Sequence, residues 1–160
     1  MTQIIVSDAT TLIVLEKQQR LSLLCSLFDC VLIPKTVYEE LLAGLDNIID
    51  VLDTSCMQVK SIQSSERLKY LLILLDNGEA EAIELALQQQ CPLIIDEKKG
   101  RQIAKQMGLN ITGLAGLLIL AVKKQVLSSN EAKEILILAV SNGYRLSENL
   151  YQQVLAILEK

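Results

Sequence analysis

Gln3-Ile4-Ile5-Val6-Ser7-Asp8-Ala9-Thr10 decides how the rest of the chain is read. Its apolar run from Gln3 to Val6 is bounded too tightly for a helix and reads as a buried strand. That strand delivers Asp8 to its carboxyl end. Thr10 or Thr11 can cap the next element, and Leu12, Leu15, Leu23, Leu24 and Leu27 mark one or two short helices. A second apolar run, Cys30 to Ile33, carries β-branched residues and reads as the next strand.

Outward from there, strands and helices alternate. Pro34 stands at a strand-to-helix junction, where its fixed φ and missing N–H do no harm. Val37, Leu41 and Leu45 mark the buried stripe of a helix to about Leu42, with Gly44 as its stop. Asp46 to Ser65 is the least periodic stretch, with a third strand expected over Met57–Ile62. Helices are expected over Leu68–Leu75 and Glu79–Gln90, separated by the turn signal Asp76-Asn77-Gly78. Leu93–Ile95 is a buried strand, Lys98–Met107 a helix closed by Gly108, and Asn110–Thr112 a short strand. Leu114–Lys124, Ser129–Val140 and Ser147–Leu158 are the closing helices. This order predicts an α/β fold: a three-layer α/β/α sandwich whose central, mostly parallel sheet has four to five strands. One domain over 1–160 is expected, with the C-terminal helices of about 128–160 packing on it.

The 160 residues are 51% apolar and 21% charged, a composition that folds and buries roughly two thirds of its extended surface. The longest apolar stretch, Leu114–Val122, is well short of the ~20 residues that span a bilayer, and no signal-peptide layout opens the chain. A soluble, cytoplasmic protein is the expectation. Nineteen acids against fifteen bases give a net charge of −4, so overall charge does not point to nucleic acid. There is no histidine at all, which excludes Ser/His and Cys/His nucleophile pairs, imidazole acid–base catalysis and His-ligated zinc. Cys25, Cys30, Cys56 and Cys91 lack metal or redox spacing and read as small buried apolar side chains. No Gly-x-Gly-x-x-Gly or phosphate-loop pattern comes after any strand.

What remains is carboxylate chemistry. In open parallel sheets ligands bind beyond the carboxyl ends of the strands, and there stand Asp8 and the pair Asp96-Glu97. Helical spacing turns Glu40 toward the stripe of its helix and Glu39 away. In the next long helix Glu79 shares a face with Ala82, Ile83 and Ala86, whereas Glu81 lies with Glu84, Leu85 and Gln88. A helix cap for Asp8 and a dipole-complementing acid for Glu79 are the plain alternatives. If Asp8, Glu40, Glu79 and Asp96 or Glu97 meet, they stay ionised together only around a cation. All-oxygen ligands select Mg²⁺ or Mn²⁺, which suits metal-assisted phosphodiester hydrolysis. Lys98, Lys99, Arg101 and Lys105 come directly after these acids and are candidates to hold RNA or DNA phosphates, the first three above all.

Ser7-Asp8-Ala9-Thr10, Ile33-Pro34 with Val37-Tyr38-Glu39-Glu40-Leu41, Gly78-Glu79-Ala80-Glu81-Ala82-Ile83 and Leu93-Ile94-Ile95-Asp96-Glu97 together resemble the PIN-domain family. Gly143-Tyr144-Arg145-Leu146-Ser147 and Leu150-Tyr151 resemble the tail of one PIN-like branch. The resemblance implies a metal-dependent endoribonuclease, often the VapC-like toxin of a toxin–antitoxin pair. By position it implies Asp8, Glu40, Glu79 and Asp96 as catalytic acids around one or two Mg²⁺ or Mn²⁺ ions, with Glu97 as a ligand or support and Thr10 as the accompanying hydroxyl. It further implies an RNA substrate, a small antitoxin partner and a homodimer, for which the Leu-rich faces of the terminal helices are suited. Two positions depart from the family pattern: Glu79, where many members have Asp, and Ile95, where many have Thr or Ser. The rival reading is a non-catalytic PIN-like module that binds a protein partner.

Overall fold

The computed structural model describes residues 3–44 and 56–160. The chain divides into two compact units, Met1–Thr112 and Gly113–Lys160. Leu45, the last position of the expected buried stripe, and the first part of the aperiodic stretch, from Asp46 to position 55, lie outside the described residues.

The first unit is built on a five-stranded, wholly parallel sheet. Its strands are β1 (Ile4–Ser7), β2 (Cys30–Pro34), β3 (Met57–Lys60), β4 (Leu93–Ile94) and β5 (Ile111–Thr112), in the order β3-β2-β1-β4-β5. Val6 lies opposite Leu32 on one side and Leu93 on the other, so β1 is the central strand. Its Ile5 and Val6, with Val31, Leu32, Ile33, Leu93 and Ile94, are buried, as near-continuous apolar runs in parallel strands require.

The helices of this unit are α1 (Ala9–Lys17), α2 (Ser22–Leu27), α3 (Lys35–Gly44), α4 (Glu66–Leu74), α5 (Asn77–Gln89) and α6 (Lys98–Gln106). α5 packs on β1, β2 and β4 and also against α3 and α4. Its buried Ala80, Ala82 and Ala86 let the backbones approach closely. Asp76-Asn77-Gly78 is not a free turn: Asp76 is the N-cap of α5, its Oδ1 accepting the Glu79 N–H at 2.8 Å, and Asn77 and Gly78 are already helical. A side-chain acceptor at the cap outweighs the local turn preference. Likewise Asp8, rather than Thr10 or Thr11, holds the cap position of α1. After α6, Gly108 takes φ +86°, the left-handed conformation that ends a helix.

The cysteines correct the sequence reading. Cys25 and Cys56 are joined in a disulfide, with their Cα atoms 5.5 Å apart, while Cys30 and Cys91 are free and half-buried. Chain spacing carries no hint of this pair, because α2 and the start of β3 meet only through the sheet.

The second unit is three helices: α7 (Leu114–Lys123), α8 (Ser129–Ser141) and α9 (Glu148–Leu158). Ser128 and Glu131 form a reciprocal capping box on α8, and Ser147 Oγ caps α9 through the Leu150 N–H. Lys133 on α8 pairs with Glu159 beyond α9 at 3.1 Å. Ile137, Leu138, Leu150 and Ile157 are exposed. Among the described residues, no helix is long and apolar enough to cross a membrane.

Candidate functional site

The strand order reverses at β1: the chain steps outward through β2 and β3, then returns to the other flank of β1 with β4. In open parallel sheets such a reversal, at the carboxyl ends of β1 and β4, is where ligands bind. Asp8 stands at the end of β1 and Asp96 just beyond β4, tied by backbone bonds from Asp8 N to Ile94 O (2.9 Å) and from Ile95 N to Thr112 O (2.9 Å).

Asp8 is only 5% exposed. Although it occupies a cap position, its side chain makes no capping bond across the first turn and takes the N–H of Ala9 instead. A capping role alone does not account for the burial of this carboxyl. Burial lifts its carboxyl from 3.8 to about 7, and Glu40, Asp76 and Asp96 push it the same way. These three acids lie near Asp8, on α3, at the N-cap of α5 and just beyond β4.

Glu79, 9% exposed in the first turn of α5, is raised from 4.5 to about 8. Burial is the main cause, then a carboxyl–carboxyl hydrogen bond with Asp76 and the charges of Asp76, Asp8 and Glu97. Glu40 projects from α3 and is raised by burial of its carboxyl and by Asp76 and Glu81. Asp96 is held by the Thr11 hydroxyl on α1, and Glu81 by the Thr36 hydroxyl on α3.

Four of the expected acids, Asp8, Glu40, Glu79 and Asp96, are therefore gathered at one sheet edge, with Glu97 at the N-cap of α6 acting on Glu79. The hydroxyl bonded to an acid here is that of Thr11, one residue beyond Thr10. Lys98 and Lys99 are exposed beside Glu97, whereas Arg101 turns its Nη1 to the Ile95 carbonyl at 2.8 Å.

Sequence patterning does not mark Asp76, Thr11, Thr36 or Glu81 as members of the site. Asp76 has a usable signal, an acceptor three residues before Glu79, but the adjacent Asn-Gly disguises it as a turn. A one-stripe periodicity sets Glu81 on the outward face and misses the contact of α5 with α3.

The arrangement concentrates negative charge. Among the described residues, neither Asp8, Glu40, Asp76 nor Glu79 is in an ion pair with Lys or Arg. Their oxygens are hard donors, and two of the carboxyls are lifted into the neutral range, the signature of a set that prefers a proton or a cation to open charge. As they stand, no three acids among the described residues converge on one point as a finished ion cage.

A family model described as a PIN domain matches residues 4–160. A search of the curated proteins found no match to this chain. Among solved structures it is similar to a PilT N-terminus domain protein from the hyperthermophilic archaeon Sulfolobus solfataricus P2. The TM-score is 0.52 at 18% identity, over 75% of this chain and 94% of the other. At that identity the likeness speaks for the fold alone, and it agrees with the parallel sheet and its helices. With the family model covering nearly its whole length, the chain belongs to the PIN-domain family, whose members are generally nucleases and typically bind divalent metal ions.

Proposed function

We propose that the chain is an endoribonuclease dependent on Mg²⁺ or Mn²⁺, and the toxin component of a type II toxin–antitoxin pair. The observation that carries the nuclease reading is the gathering of Asp8, Glu40, Glu79 and Asp96 at the switch point of the sheet, with Asp8 and Glu79 buried and their carboxyls raised toward the neutral range.

In this reading Asp8, Glu40, Glu79 and Asp96 hold the ion, with Glu97 as a further ligand or support. When bound, the ion supplies Lewis acidity for a water nucleophile and neutralises charge at the scissile phosphate. The chain's own residues do the rest. Thr11 fixes the Asp96 carboxylate, so that acid is oriented before any ligand arrives. In the metal-free chain burial lifts the Asp8 carboxyl to about 7, so the ion would take the place of a proton there. Lys98 and Lys99 are placed to meet phosphates that the acidic edge would otherwise repel. A small antitoxin covering this edge, and a homodimer, are the partners this reading calls for.

The incomplete ion cage favours a second reading, a non-catalytic PIN module that binds a protein partner. One experiment separates the two: cleavage of a mixed RNA with Mn²⁺, Mg²⁺ or EDTA by the wild type and by Asp8→Asn, with circular dichroism on both. Metal-dependent cleavage that drops by about 100-fold or more in the variant, as loss of a reaction's key charged group does, supports the nuclease. No cleavage, with no Mn²⁺ binding by calorimetry, supports the module.

A further inference from the structure

Gly78 is the second residue of α5, is buried, and has an ordinary helical backbone rather than a positive φ. Glycine at such a position costs helix stability relative to alanine and needs a reason. The reason lies in the space beside it. A Cβ built on Gly78 would stand 2.0 Å from Glu40 Oε1, 3.0 Å from its Cδ and 3.4 Å from Oε2. Glu40 Oε1, with its Cδ close behind, therefore occupies the volume that any other side chain would fill.

The same relation recurs on α6, where a Cβ on Gly100 would come 2.6 Å from Glu79 Oε2. There it would also meet Ile95 Cδ1 at 2.7 Å, and Ile95 is fully buried. A substitution at Gly100 would disturb packing as well as the acid, so Gly78 is the cleaner case: only the end of a flexible side chain has to move.

We propose that Gly78 is a positioning residue for Glu40, its missing side chain being the space that holds the Glu40 carboxylate over the first turn of α5 and within the acidic edge. The proposal rests on the nuclease reading for its consequence but on packing for its geometry. Replacing Gly78 by alanine evicts the carboxylate without unfolding anything.

The test compares wild type, Gly78→Ala, Glu40→Ala and the double variant. Mn²⁺ affinity is read by calorimetry, RNA cleavage is resolved into kcat and KM, and melting is monitored in EDTA. Each single change is expected to weaken Mn²⁺ binding about 10-fold or more, as loss of a ligand's support does. The double is expected to be no weaker than Glu40→Ala alone, and Gly78→Ala to melt no lower than wild type. Wild-type affinity in Gly78→Ala, or a double variant that loses the product of both effects, overturns the proposal. A nuclear Overhauser contact between Gly78 Hα and Glu40 Hγ in the metal-free wild type is the readout independent of metal. Its absence overturns the cradle whatever the ion does. Failure of the wild type to bind Mn²⁺ or cut RNA, with that contact present, instead defeats the nuclease reading.

Discussion

Asp8 carries its proton in the folded chain where an ordinary aspartate has lost it, and that alone sets the sign of the consequence. Between 3.8 and about 7 the folded state holds a proton that the unfolded state has released. The stability given by the neutral carboxyl is complete below about pH 4 and is lost as pH rises through about 7. Glu79, moved from 4.5 to about 8, extends the same slope upward. In EDTA the melting temperature should therefore fall from about pH 5 to about pH 8. Asp8→Asn should remove part of that slope and stabilise the metal-free protein at about pH 8 by roughly 2–4 kcal/mol. Mn²⁺, taking the place of the proton, should raise the melting temperature more at about pH 8 than at about pH 5. Thermal unfolding across pH checks all three, and a flat wild-type profile would leave Asp8 with no buried strain to relieve.

α5 shows at the level of an element why some acids are legible in the sequence and others are not. Glu84 is fully buried on it, held by Arg67 Nε of α4 at 2.5 and 3.1 Å, with Ser65 Oγ and Gln88 Nε2 each at 3.4 Å. Arg67→Met should cost about 2–3 kcal/mol, because it strands a buried carboxylate. Glu84→Gln keeps hydrogen-bonding atoms in place and should cost about 1 kcal/mol. Urea midpoints measure both, and equal losses would mean that Arg67 is not the compensating charge. Periodicity puts Glu84 with Glu81 and Gln88 on the face away from the core, since it seeks a single apolar stripe. α5 in fact packs on the sheet with one side and on α3 and α4 with others, and no local pattern reports how many neighbours a helix will have. The strands are legible for the opposite reason: in a parallel sheet buried on both faces each is a bare apolar run, and the acid that ends the run marks the carboxyl edge. Asp8 and Asp96 are found that way, and Glu79 through its alanine-rich stripe. Asp76 is lost because cap and turn chemistry use the same residues.

At the scale of the whole molecule, the first unit is closed by a covalent link that no sequence pattern announces. β3 is an edge strand, joined to the sheet through β2 alone, and Cys56 sits at its start, where its carbonyl accepts the Val31 N–H at 2.8 Å. The bond to Cys25 ties that edge back to α2 across 31 positions. A thiol pair this far apart in sequence is brought together only by the fold, so spacing rules for metal or redox cysteines pass over it. Closing a loop of that length restricts the unfolded chain by about 3–4 kcal/mol in the loop-entropy account. Reductant should therefore lower the melting temperature of the wild type. Cys56→Ser should melt at the reduced value and ignore reductant. Alkylation after denaturation without reductant should label Cys30 and Cys91 alone, leaving Cys25 and Cys56 unlabelled until reduction. Four labelled thiols under those conditions would mean that Cys25 and Cys56 lie in disulfide geometry without the bond, and that the edge strand is held by backbone pairing with β2 and packing alone.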